Sequence, residues 1–149
     1  MVILGKCHCG NITFTLTWQP DPAEIPARAC GCAFCTKHGA AWTSNPDGAL
    51  VIAVKERRLL AQYEFGTRTA QFQVCAGCGI VPVVTCTLDG RVYAVVNVNA
   101  FESLGLTRIC SLPASFDDEV IAERLARRKR NWIANVSFVG AMQDGSGVE

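Results

Sequence analysis

A mostly antiparallel β domain with one helix near its C-terminal end is the fold class this sequence predicts. Three observations predict it. Short runs rich in β-branched and aromatic residues alternate with a period of two. Turn signals built from Gly, Pro, Asn and Asp separate these runs. A single stretch, around residue 120, carries acidic residues ahead of an apolar stripe and basic residues behind it, the charge order a helix dipole favours.

The first strand is carried by Ile12, Phe14, Leu16 and Trp18, which alternate with Thr13, Thr15 and Thr17. Gln19-Pro20-Asp21-Pro22 ends it, because prolines remove ladder donors. A loop containing Pro26 follows. Residues 40–43 read as a short strand, Asn45-Pro46-Asp47-Gly48 as a turn, and 50–54 and 59–65 as two more strands with a break at Gly66-Thr67. Residues 69–74 deliver the chain to Cys75. Residues 80–87 and 92–98 flank Asp89-Gly90, the strongest hairpin signal in the chain, and Pro82 sets the first of this pair at a strand start or on an edge. For the helix, Ser115 is the expected cap, Asp117, Asp118 and Glu119 suit its positive end, and Arg124, Arg127, Arg128, Lys129 and Arg130 suit its negative end. Ile121, Ala122, Leu125 and Trp132 are the expected buried stripe, and the 127–130 run is expected to be solvated. A last strand over 132–138 precedes a small, polar segment.

The chain has 149 residues and a formal net charge of +1, which supplies no general attraction to nucleic acid or to an anionic membrane. Its first apolar run is too short for a secretory signal, and no run approaches the roughly 18 residues of a membrane span. Nine cysteines without such a signal point to a reducing, cytoplasmic setting, where clustered thiols bind metal or do catalysis. An odd count also suits a disulfide framework poorly.

Seven of these sulfurs fall in three groups. Cys30-Gly31-Cys32-Ala33-Phe34-Cys35 holds three thiols in six residues, Cys7-His8-Cys9-Gly10 holds two, and Cys75-Ala76-Gly77-Cys78-Gly79 holds two. Structural zinc takes four tetrahedral ligands, whereas catalytic zinc takes three from the protein and keeps one position open. Cys7, Cys9, Cys75 and Cys78 therefore make a closed four-thiolate site, and Cys30, Cys32 and Cys35 a local three-thiolate site. Two readings of the second site stand. His38 can close it, since Cys35 and His38 have a normal ligand spacing, or it stays open with His38 and Lys37 as pocket residues that move protons or attract a carboxylate. Three thiolates make the ion electron-rich, so an open site suits a fourth thiol better than a hydroxide. Cys86 and Cys110 lie among apolar residues and are expected to be core thiols.

With these motifs in place, the sequence resembles the glutathione-dependent formaldehyde-activating enzyme (S-(hydroxymethyl)glutathione synthase) and centromere protein V family. The matching motifs are Gly5-Lys6-Cys7-His8-Cys9-Gly10 and the two cysteine groups at 30–35 and 75–79, over about residues 5–135. The resemblance implies a zinc-stabilised β fold similar to the exchange factor called mammalian suppressor of Sec four. It implies two Zn²⁺ per chain: a structural one on Cys7, Cys9, Cys75 and Cys78, and a catalytic one on Cys30, Cys32 and Cys35. It implies a carbon–sulfur lyase activity joining glutathione, or a similar thiol, to formaldehyde or another small aldehyde, in a detoxifying role. His38 is the candidate proton donor, and Lys37, Arg68 and Arg108 are the candidate partners of the glutathione carboxylates. The expected organisation is one zinc-binding β domain over residues 1–139 and a polar tail over 140–149. The other class of function is a non-enzymatic zinc module that binds a macromolecular partner, with the basic helix end as its contact.

Overall fold

The computed structural model describes residues 1–105 and 107–140. The polar tail expected over 140–149 lies, beyond Gly140, outside the described residues. In chain order the strands are β1 (Val2–Lys6), β2 (Ile12–Thr17), β3 (Glu24–Cys30), β4 (Trp42–Thr43), β5 (Ala49–Val54), β6 (Leu60–Tyr63), β7 (Gln71–Cys75), β8 (Val83–Leu88), β9 (Arg91–Asn97), β10 (Arg108–Ala114) and β11 (Asn135–Gly140). Helix α1 (Ala33–His38) follows β3, and α2 (Ile121–Asn131) lies between β10 and β11. They form a four-stranded sheet in the order β1-β2-β5-β11 and a seven-stranded sheet in the order β10-β3-β4-β9-β8-β7-β6. The mainly β class expected from the alternation is therefore observed.

The period-two pattern decides how the sheets pack. In β2 the residues Ile12, Phe14 and Leu16 point inward while the threonines between them stay half-buried. They meet Ile3, Leu50 and Ile52 of their own sheet and Ile25, Val83, Ala94 and Val96 of the larger one. Burying each such branched side chain stabilises the fold by roughly 1.5–3 kcal/mol. The larger sheet is covered on its other face as well, where Val84, Cys86, Tyr93 and Val95 pack with Trp42 and Trp132. Burial on both faces is why β8 and β9 read as nearly unbroken apolar runs. Gly5 faces Phe14 across the β1–β2 pair. A Cβ on Gly5 would lie 2.0 Å from the Phe14 ring, so only a glycine lets that ring cross the strand. The Asp89-Gly90 hairpin forms as expected. Leu88 pairs with Arg91, and both turn residues have positive φ, the geometry of the tight two-residue turn.

Several elements differ from the sequence expectation, each for a physical reason. Residues 24–30 form β3 rather than a loop. Pro26 is tolerated there because this strand pairs in parallel with β10, itself at the sheet edge, and meets β4 only at Arg28. β11 pairs in parallel with β5, so two long crossovers interrupt the antiparallel plan. β1, β10 and α1 are additional elements. Ser115 does not cap α2: the helix begins at Ile121 after an extended Val120, and the Ser115 hydroxyl meets Asp117 instead. The expected stripe is also rotated. Leu125 is half-buried and Trp132 buried, but Ile121 is 52% exposed, while Arg128 turns inward and is only 8% exposed. Cys86 is a core thiol as expected. Cys110 is not, because it sits half-buried on the edge strand β10.

Candidate metal centres

The first centre is assembled by two chain reversals of the same design. At the end of β1, the Cys7 amide donates to the Ile12 carbonyl at 2.9 Å, Gly10 donates back to the Cys7 carbonyl at 3.1 Å, and the Ile12 amide points at the Cys7 sulfur at 3.3 Å. At the end of β7, the Cys75 amide donates to the Ile80 carbonyl at 2.9 Å and Gly79 donates to the Cys75 carbonyl at 2.7 Å. Gly10 and Gly79 have φ of 81° and 82°, a left-handed conformation that side chains rarely adopt. The four sulfurs of Cys7, Cys9, Cys75 and Cys78 lie within 4.8 Å of one another. Cys7 is 3.8 Å from Cys9, and Cys9 is 3.5 Å from Cys75. Tetrahedral zinc with Zn–S bonds of about 2.3 Å sets its sulfurs about 3.8 Å apart, so this donor set fits such an ion. Burial pushes the Cys7 and Cys75 thiols up, Cys75 to about 12. At Cys78 burial acts in the same direction, but backbone hydrogen bonds from Cys9 and Ile80 outweigh it and bring the thiol down to about 6.

The second centre is local. Cys30 ends β3, where the next amide, that of Gly31, donates to Ala114 of β10 at 2.8 Å. Cys32 caps α1 with its sulfur, accepting the Cys35 amide at 3.4 Å. Cys35, one turn into the helix, is buried and accepts the Trp42 indole N–H at 3.3 Å. The three sulfurs lie within 4.8 Å of one another, and among the described residues no fourth Cys, His, Asp or Glu joins them. A hydrogen bond from Cys35 draws the Cys30 thiol down to about 5, while the same contact and burial push Cys35 up.

An aromatic cluster holds α1 in place. The Phe34 ring lies 4.8 Å from Phe72 and 5.2 Å from both Tyr63 and Phe65. Phe65 and Phe72 line a cleft of about 240 Å³ that reaches Cys30 and Cys32 and is open to solvent. Phe116, Asp117, Arg124, Arg127 and Arg128 also line it. Cys30 is also shared with an adjoining recess lined by Arg28, Trp42 and Trp132.

The sequence-predicted residues divide cleanly. All seven cysteines gather into the two expected groups. His38 does not join the three-sulfur group; it is exposed at the C-terminal end of α1, with its ring 4.6 Å from Phe34. Lys37, Arg68 and Arg108 are exposed, and none of them lines the cleft. Of the cations that do line it, Arg127 and Arg128 come from the run expected to be solvated, and Arg124 lies one helical turn ahead of that run. Arg124, Arg127 and Arg128 stand at spacings of three and four residues, one helix face, and that spacing was the available signal. Arg28 shares a strand face with Cys30, two residues away.

A family model described as glutathione-dependent formaldehyde-activating enzyme matches residues 2–110, a segment that ends before α2. A crystal structure of a protein from Rhodobacter sphaeroides is similar over 72% of this chain and 99% of that one, with 27% sequence identity and a TM-score of 0.49. No curated protein matches the chain.

Proposed function

The chain belongs to the glutathione-dependent formaldehyde-activating enzyme family, and from that premise we propose that it is a zinc-dependent enzyme of the carbon–sulfur lyase class. In this reading it condenses glutathione, or a similar thiol, with formaldehyde or another small aldehyde. Residues 1–139 work as one domain in the cytoplasm, in a detoxifying role. Cys7, Cys9, Cys75 and Cys78 hold a structural zinc, and Cys30, Cys32 and Cys35 a catalytic one. The observation that carries the reading is the three-sulfur group opening onto a cleft, beside a four-sulfur group that is already complete.

Zinc bound by three thiolates supplies a soft positive centre that favours an added thiol in its thiolate form over a hydroxide. The chain's own residues do the rest. Trp42 fixes the Cys35 sulfur by its indole N–H, and the aromatic cluster fixes the turn of α1 that carries Cys32 and Cys35. Phe65 and Phe72 give the reacting sulfur an apolar wall. The thiol sulfur bonds to the aldehyde carbon, and the C=O π pair moves to oxygen. That oxygen takes up a proton equivalent to the one the thiol gave up, which yields the S-hydroxymethyl thioether, a hemithioacetal. The proton is delivered by His38 or by water in the open cleft. An H38N substitution separates the two: a fall in kcat of about tenfold or more assigns the step to His38, and an unchanged kcat assigns it to water.

The test of the whole reading is metal content and product formation on the same preparation. Near two zincs per chain and glutathione-dependent consumption of formaldehyde are expected, with C32S losing one zinc and the activity together. A C32S protein that keeps its zinc, its glutathione binding and its rate would sink the proposal. At the helix end Arg128 is buried and Arg127 is held by Glu119, which leaves Lys129 and Arg130 as the exposed cations for the partner-binding alternative.

A further inference from the structure

Helix α2 brings more positive charge to the cleft than the fold needs to hold the helix. Glu119 takes Arg127 in a two-pronged pair, Nε to Oε2 at 2.8 Å and a terminal nitrogen to Oε1 at 3.1 Å, and lies 3.5 Å from the Nε of Arg124. Arg127 also lies flat on Phe116, 3.8 Å from the ring centre. Those contacts account for docking. Arg128 also packs over Trp132, 5.0 Å from the ring centre, but neither it nor Arg28 has a carboxylate partner among the described residues. Arg128 is more than nine-tenths buried; one of its terminal nitrogens donates to Thr69 at 2.8 Å and reaches the Cys86 sulfur at 3.6 Å, but its Nε has no hydrogen-bond partner among the described residues. Arg28, held by Ser44 at 3.0 Å, shares with Arg127 and Arg128 the recess that opens on Cys30. Burial lowers the proton affinity of Arg128. Like charges gathered in a half-dry recess, one with an unused donor, destabilise the empty protein and are relieved by an anion.

We infer that Arg28, Arg124, Arg127 and Arg128 form a carboxylate-binding wall beside Cys30 that selects acidic thiols, with Glu119 as the internal carboxylate that competes for it. The inference rests on the thiol-condensing reading for why a thiol enters the cleft, but three of its four arginines lie on a helix beyond the segment the family model matches, and only Arg28 lies within it. A planar guanidinium fork recognises a carboxylate by paired hydrogen bonds, which a neutral or amino thiol cannot supply. The wall therefore discriminates by charge, while the sulfurs discriminate by softness.

The test uses S-methylglutathione, which keeps both carboxylates but has no thiol to donate, against glutathione diethyl ester, which keeps the thiol and loses the carboxylates. Binding to the zinc-loaded full chain is measured by calorimetry. S-methylglutathione is expected to bind, to weaken about tenfold or more in R127Q and in R28Q, and to recover part of that loss in R127K. E119Q is expected to tighten it several-fold, a gain that misfolding cannot imitate. Equal binding of S-methylglutathione in wild type, R28Q and E119Q would overturn the inference, as would a diester KM no higher than that of glutathione. The two readings fail separately. Arginine-dependent binding of S-methylglutathione without any aldehyde turnover refutes the enzyme reading and leaves the wall standing. Turnover indifferent to thiol charge does the reverse.

Discussion

The two sulfur groups solve opposite problems. The four-sulfur group joins parts of the chain that are far apart, with Cys9 meeting Cys75 across 66 residues, and both partners sit at strand ends where the two sheets are tied together. The three-sulfur group is drawn from six consecutive residues and is held by a short helix, an indole and four stacked rings. A metal at the first closes a long loop and so adds its binding energy to folding. At the second it closes almost nothing, and its binding energy is available for ligand exchange. On the proposed function, sequence separation of the ligands is what distinguishes the structural site from the catalytic one.

The sharpest break of that comparison is a matched pair of substitutions. C75S is expected to abolish cooperative folding or cost at least several kcal/mol, in line with the roughly 10–16 kcal/mol apparent binding energies of structural zinc sites. C30S is expected to lose one zinc and all activity while its thermal unfolding stays cooperative within a few degrees of wild type. Equal losses of Tm in the two variants would erase the distinction. Next in size is G5A. It drives a methyl group into the Phe14 ring beside the first centre, and a loss of about 1–3 kcal/mol in urea unfolding is expected, with both zincs retained.

A smaller effect separates the centres from the other side. W42F keeps the ring but removes the donor to Cys35, which should cost about 1 kcal/mol of zinc affinity at the second centre alone. Competition with a chromophoric chelator reads it, and an equal loss at both centres would contradict the assignment. The smallest effect concerns acid. Arg127, through its hydrogen bonds to Glu119, holds that carboxyl below its ordinary value. The pair's contribution is complete above about pH 4.3, the usual glutamate range, and disappears as pH falls through the lowered value in the folded chain. At most about 1 kcal/mol is expected, and it should vanish in E119Q when stability is followed from pH 6 to pH 3.

What the sequence made legible follows from where the information lies. The sulfur groups were readable because ligand chemistry is written in residue identity and spacing, and β2, β5 and the Asp89-Gly90 hairpin because period and turn chemistry are local. β3 hid behind Pro26 and is a strand only because β10, many residues later, pairs with it. α1 hid because its cap is the sulfur of Cys32 rather than a hydroxyl or carboxylate. The cleft wall was misread for a similar reason. The spacing of Arg124, Arg127 and Arg128 marks one helix face, but whether that face turns inward while Ile121 turns out is decided by contacts with Glu119 and Thr69.

The late position of α2 has a consequence in time. As the chain leaves the ribosome, every sulfur of both groups is available once Cys78 has emerged, whereas the arginine wall needs residues up to 131. The thiols of the second group are therefore the first part of the cleft to be made and the wall is the last. On the proposed function, a nascent chain that captured metal on these thiols would do so before α2 exists, so the choice of ion would fall to the sulfurs and the choice of thiol would wait for the finished protein.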